Sequence, residues 1–178
     1  VLYISDFEFR VAALKNVLTL TFLGTGTSVG VPMVACDCAV CTSDDPRNKR
    51  LRSSLLVETP EVRFVIDTGP DFRAQCLRED ITQLDAAVYT HQHSDHIMGF
   101  DDLRRFCQGK DARIPIYGLP ETIDHLKAAF GYAFDTSNWY PVYVKPEVHL
   151  VDGSFELGNV RLTPLDVTHG KVRTIGSV

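Results

Sequence analysis

Thr90-His91-Gln92-His93-Ser94-Asp95-His96-Ile97-Met98-Gly99 crowds three histidines and an aspartate into the six positions from 91 to 96. Few structural demands ask for that composition, whereas a pair of divalent cations does. Imidazole nitrogen and carboxylate oxygen ligate borderline metals such as zinc at roughly 2.0–2.2 Å. Leu84–Tyr89 before the cluster is apolar and rich in strand formers, and Ile97–Gln108 after it carries helical spacing. The cluster is therefore predicted on a strand-to-helix turn, held rigid by its flanks. Strand alternation puts His91 and His93 on one side. Asp95 and His96 follow as the backbone turns, within reach of a second cation. Two cations about 3.5–4 Å apart can clamp the attacking and leaving oxygens of a hydrolytic step. Surface histidines on a polar loop are the plainer reading, and the density of ligand types argues against it.

The 178 residues, 44% of them hydrophobic, suit one domain with its own core. A formal net charge of −5 argues against a nucleic-acid partner held through its phosphates. No run reaches the roughly 18 apolar residues of a membrane span. Val1–Arg10 lacks the basic start and cleavage site of a signal peptide. Five cysteines, an odd number with three crowded together, do not read as a secreted disulfide framework. The expected compartment is a reducing one, the cytosol.

Along the chain, Val17–Leu23 alternates as a strand and ends in the glycine-rich turn Gly24–Gly30, whose spacing is wrong for a dinucleotide fingerprint. Ser53–Glu58 and Val62–Ile66 form a hairpin pair through Thr59-Pro60-Glu61. Asp67-Thr68-Gly69-Pro70 breaks the second strand, and Asp71 is placed to cap a helix through about Asp80. Strand Ala86–Thr90, helix Ile97–Gln108 and strand Ile114–Tyr117 follow. Pro120 then opens a helix with Ile123, Leu126, Ala129 and Phe130 on one face. Short strands return at His149–Val151, Ser154–Leu157, Val160–Pro164 and Val172–Ile175. The pattern predicts a layered α/β protein with a mixed sheet. Residues 1–16 form an N-terminal extension and 17–178 the domain.

Cys36, Cys38 and Cys41 offer three thiolates in one loop, which suits a structural zinc at Zn–S distances near 2.3 Å. Three reduced, unliganded cysteines are the alternative. No fourth ligand is identifiable, with His125 and His149 candidates only by elimination. Cys76 and Cys107, among apolar neighbours, read as core fillers. Arg52, Arg73, Arg104 and Arg105 lie near element ends, and the planar guanidinium fork suits phosphate.

The stretch His91-Gln92-His93-Ser94-Asp95-His96, after a strand and before Gly99, resembles the His-x-His-x-Asp-His signature of the metallo-β-lactamase superfamily. Phe22-Leu23-Gly24-Thr25-Gly26-Thr27-Ser28, the Cys36-x-Cys38-x-x-Cys41 spacing and Ile66-Asp67-Thr68-Gly69-Pro70-Asp71-Phe72-Arg73 narrow the resemblance to its PhnP-like phosphodiesterase branch. The resemblance runs from about Leu18 to the C-terminus. It implies an αββα sandwich with mixed sheets. It also implies zinc or manganese at the histidine–aspartate site, and a structural zinc on the cysteines completed by a histidine from near the C-terminus. His91, His93 and His169 would hold the first cation; Asp95 and His96 would contribute to the second. Asp67 resembles the outer aspartate that orients metal ligands. As a lone residue His169 would more often be an ordinary surface or core histidine, and a simple turn aspartate is the lesser alternative for Asp67.

The implied activity is phosphodiester hydrolysis of a small substrate by a metal-activated hydroxide, with Asp95 orienting the nucleophile. Nucleic acid and membrane partners are not expected, and a homodimer is allowed. A thioester or RNA hydrolase of the same superfamily is the alternative. The superfamily site normally adds a bridging aspartate and a final histidine from strands beyond the position of His169. Nine residues follow His169 here, and none is Asp or His. The expectation is therefore a C-terminally incomplete domain with a weak second site, and a non-catalytic metal-binding fragment is the remaining alternative.

Overall fold

The hairpin expected around Pro60 seeds the sheet that carries the site. In the computed structural model the backbone is described over residues 9–13, 16–107, 112–138, 140–169 and 172–177, with the side chains of 9–13, 16, 138, 166, 168, 169, 172, 173, 176 and 177 outside the description. Strands β1 (Phe9–Ala13), β2 (Asn16–Gly24), β3 (Ser54–Glu58) and β4 (Arg63–Ile66) pair antiparallel in that order. Thr59 Oγ1 tightens the β3–β4 turn by accepting from the Glu61 and Val62 amides, each at 3.1 Å. β5 (Ala86–Val88), β6 (Ile114–Gly118) and β7 (Pro146–Leu150) then add in parallel, completing a seven-stranded mixed sheet. β1 pairs its whole length with β2, so residues 9–13 are an edge strand of this sheet.

Alternation along the strands divides the core. Leu56, Val65, Ala87 and Tyr89 join one cluster, while Val57, Phe64, Ala86 and Val88 join another. A period of two sends these sets to opposite faces. The first face is covered by α1 (Phe72–Arg78), α3 (Pro120–Ala129), α4 (Gly131–Phe134) and a 3₁₀ stretch at Phe100–Phe106. Phe100 anchors that layer, its ring 4.9 Å from Phe130 and stacked 5.7 Å from Phe134. The second face is covered in part by the hairpin β8 (Phe155–Leu157) and β9 (Val160–Leu162). A last ribbon, β10 (Pro164–His169) with β11 (Val172–Ser177), fastens Ile175 N–H to Thr90 O at 3.1 Å. Ile175 is buried with Leu119 and Val151. Among the described residues no helix is long and apolar enough to cross a membrane.

Three local expectations are corrected. The single helix predicted over Ile97–Gln108 is instead one α-turn, α2 (Ser94–Ile97), followed by the 3₁₀ stretch, because Gly99 is pressed against another backbone segment. Asp71 stands at the start of α1 without capping it through its side chain. Its carboxylate accepts from Arg52 N at 2.8 Å and from Arg52 Nη1 at 3.0 Å. Ala129 is exposed, leaving Thr122, Ile123 and Leu126 as the buried face of α3.

Candidate metal centre

β4 and β5 lie side by side in parallel, Ile66 opposite Val88, so the residues that follow them emerge together at one edge. After β4 the chain turns at Asp67, whose φ of +62° is in the left-handed region that Asp and Asn tolerate better than most residues. Its amide donates to Val88 O at 2.8 Å, and the residue is only 5% exposed. Oδ1 accepts from Thr90 N at 2.8 Å; Oδ2 accepts from Thr90 Oγ1 at 2.7 Å and from His96 Nδ1 at 2.7 Å. Thr90 Oγ1 in turn lies 3.0 Å from His91 Nδ1.

The outer nitrogens of two histidines are thus engaged, and the inner ones face further ligand atoms. His91 Nε2 is 3.1 Å from His93 Nδ1, and His96 Nε2 is 3.3 Å from Asp95 Oδ2. The rings of His91 and His96 are 4.1 Å apart, those of His91 and His93 4.6 Å. His93 sits in extended backbone at the start of α2, and its side chain makes no capping hydrogen bond there. Burial alone would lower the His96 pKa, but the hydrogen bond and charge of Asp67, with Asp95, outweigh it and hold the value above the ordinary one. His91, His93, Asp95, His96 and Asp67 are therefore brought to one place. His169 ends β10, opposite Val172, and its side chain lies outside the described residues.

Backbone contacts fix α2 against the Asp67 turn. Thr68 N–H donates to His96 O at 2.9 Å and Gly99 N–H to Thr68 O at 2.8 Å. A Cβ on Gly69 would stand 2.1 Å from Asp95 O, and one on Gly99 would stand 2.1 Å from Gly69 O. Tyr89, fully buried beneath, meets Thr68 Oγ1 through its hydroxyl at 2.9 Å, and burial pushes its pKa up. Sequence reasoning missed Thr68, Gly69, Tyr89, Thr90 and Gly99 as parts of the site. The available signal was their adjacency to Asp67 and to the histidine cluster.

Cys36, Cys38 and Cys41 are free and have sulfurs that all lie within 4.8 Å of one another. Among the described residues they are the only trio of His, Cys, Asp or Glu this close; the histidine–aspartate set converges in pairs instead. The Cys41 amide, aided by the Cys36 and Cys41 thiols, lowers the exposed Cys38 thiol to about 7. Met33 N–H donates to Cys41 Sγ at 3.3 Å. His125 and His149 are engaged elsewhere, His125 Nδ1 with Glu121 O at 2.9 Å and His149 stacked 4.6 Å from Tyr117. Cys107 is buried, and Cys76 packs against the main core with burial raising its thiol to about 12.

Of the four arginines, Arg52 is committed to Asp71 and to Ser28 O at 2.9 Å. Arg73, Arg104 and Arg105 line a cleft of about 870 Å³ between α1 and the 3₁₀ stretch, none of whose walls is a cluster histidine.

A seven-stranded mixed sheet carrying helices on one face, with three histidines and two aspartates gathered where β4 and β5 end, defines a metallo-β-lactamase type of domain. The family model described as the beta-lactamase superfamily domain matches residues 62–178, more than half of the chain, and the chain belongs to that superfamily. A solved structure described as a new diphosphatase from the PhnP family superposes with a TM-score of 0.81 at 42% identity, over 90% of this chain and 62% of that one. Within the superfamily the chain is a PhnP-like member. Among curated proteins, an octanoyltransferase of Porphyromonas gingivalis is 38% identical over 162 residues, 86% of this chain and 31% of that protein. A ribonuclease Z of Rippkaea orientalis is 32% identical over 146 residues, 78% of this chain and 41% of that protein. The chain thus spans well under half the length of these two curated relatives.

Proposed function

We propose that this chain carries the cation-binding part of a metal-dependent hydrolase acting on a small phosphodiester. The observation that supports this most is the pairing of ligand atoms, His91 Nε2 with His93 Nδ1 and His96 Nε2 with Asp95 Oδ2. Neutral imidazole and carboxylate suit zinc or manganese. His91 and His93, with His169 as third donor, would hold one ion; Asp95 and His96 would contribute to a second. Bound cations supply Lewis acidity and an acidified water. Asp95 would also accept a hydrogen bond from the attacking water and hold it in line with phosphorus. Asp67 keeps the His96 ring turned toward Asp95. A diphosphatase and a ribonuclease among the relatives favour attack at phosphorus. The net charge of −5 favours a small substrate over RNA.

The test is turnover of bis(p-nitrophenyl) phosphate and of a p-nitrophenyl thioester by the purified chain with manganese or zinc supplied. The expected result is metal-dependent phosphodiester cleavage that drops at least about 100-fold in His93→Ala. Thioester turnover without phosphodiester turnover would overturn the reading.

The cysteine trio would hold a structural zinc that ties down its loop. Elemental analysis of wild type and of a Cys36→Ser, Cys38→Ser, Cys41→Ser variant should then differ by one zinc per chain, with trypsin cutting the variant faster within residues 33–48. Equal zinc content in the two proteins counts against the site.

A further inference from the structure

Thr90 is the residue of this centre whose side chain touches both an outer carboxylate and an inner ring. Its hydroxyl is 2.7 Å from Asp67 Oδ2 and 3.0 Å from His91 Nδ1, while its amide donates to Asp67 Oδ1 at 2.8 Å. An ionised carboxylate only accepts hydrogen bonds, and two oxygens at 2.7 Å need a hydrogen between them. The single hydroxyl hydrogen of Thr90 therefore points at Asp67. The oxygen it leaves facing His91 can only accept, so His91 Nδ1 must carry the hydrogen. In a neutral imidazole that makes Nε2, the atom facing His93, the acceptor. Asp67 Oδ2 applies the same logic to His96 directly, taking Nδ1–H and leaving Nε2 toward Asp95.

We infer that Thr90 is a positioning residue, its hydroxyl relaying Asp67 to His91 so that one carboxylate sets the ring tautomers of both His91 and His96. The relay is stiff because Thr90 is held at both ends of its peptide. Its N–H is on Asp67 and its carbonyl accepts Ile175 N–H at 3.1 Å, so the hydroxyl cannot follow a shifted ring. Only in naming the inner nitrogens as cation donors does the inference rest on the proposed function; the tautomers themselves require neither cation nor substrate.

The experiment uses the whole chain, labelled with ¹⁵N at histidine and free of cation. Long-range proton–nitrogen spectra report which ring nitrogen of His91 bears hydrogen. Wild type should show Nδ1–H at His91 and at His96. Thr90→Val, which keeps the branched shape and removes the hydroxyl, should shift His91 toward mixed tautomers and leave His96 as it was. Thr90→Ser should restore the wild-type His91 pattern. In a competition assay with manganese, Thr90→Val should bind about 10-fold more weakly and Thr90→Ser within about 3-fold of wild type, the lower end of what outer ligands contribute. An Nε2–H tautomer at His91 in the wild type overturns the relay, whatever the variants do. So does a Thr90→Val spectrum identical to wild type. Absence of phosphodiester turnover would fault the proposed function alone, since the tautomer spectra do not depend on it.

Discussion

Gly99→Ala should destabilise the chain by about 3 kcal/mol and abolish the proposed cation binding by Asp95 and His96. The added Cβ would lie 2.1 Å from Gly69 O and 2.8 Å from Phe72 Cβ, where no side-chain rotation relieves the overlap. The segments must separate, and three things hold them together at that point. Gly99 N–H donates to Thr68 O, Thr68 N–H donates to His96 O, and Gly69 packs on Asp95 O. Opening the contact moves α2 away from the Asp67 turn, and the His96–Asp67 bond of 2.7 Å is the first functional contact to lengthen. Urea unfolding checks the stability part: the midpoint should fall with the slope unchanged. Gly153→Ala is the matched control, since a Cβ there meets nothing within 4 Å, and it should stay within about 0.5 kcal/mol of wild type. A Gly99→Ala midpoint equal to that control would refute the backbone-clamp account.

The contrast between what could be read ahead and what could not follows from the range of each interaction. The histidine–aspartate cluster is local, so composition alone singled it out, and the β3–β4 hairpin was legible from alternation on both sides of Thr59-Pro60-Glu61. The mixed sheet followed from hairpins giving way to strand–helix alternation, and the structure builds it that way. The helix predicted over Ile97–Gln108 failed because periodicity cannot see a non-local backbone approach, here Gly99 on Gly69. Asp71 looked like a helix cap because propensity is local, yet its carboxylate is taken by Arg52, nineteen positions earlier. Thr90 carries no sequence signal beyond its adjacency to the histidine cluster. Its role depends on β4 and β5 being parallel neighbours, which sets Asp67 beside it.

Asp67→Asn should weaken cation binding by about 10–100-fold and lower the proposed phosphodiester turnover comparably, while the chain still folds. The substitution is nearly isosteric, and asparagine accepts the +62° φ of this turn, so the backbone has no new reason to move. The electrostatics change completely. Two carboxylate oxygens now accept three hydrogens, from Thr90 N, Thr90 Oγ1 and His96 Nδ1. An amide offers one oxygen and an NH₂ group that is itself a donor. If the oxygen faces Thr90 N–H, the NH₂ confronts both the hydroxyl and His96 Nδ1–H. Either His96 takes the other tautomer, turning a hydrogen toward Asp95, or its ring rotates away. Neither leaves Nε2 as a ligand, and a buried unmatched donor costs about 1–3 kcal/mol of stability. Asp67→Ala would add a larger backbone penalty and confound the two effects, so Asn is the informative change. Titration of cobalt into wild type and Asp67→Asn, followed by its visible absorption, reads affinity and ligand geometry together. Retention of wild-type affinity and spectrum in Asp67→Asn would show that the Asp67 charge does not orient His96.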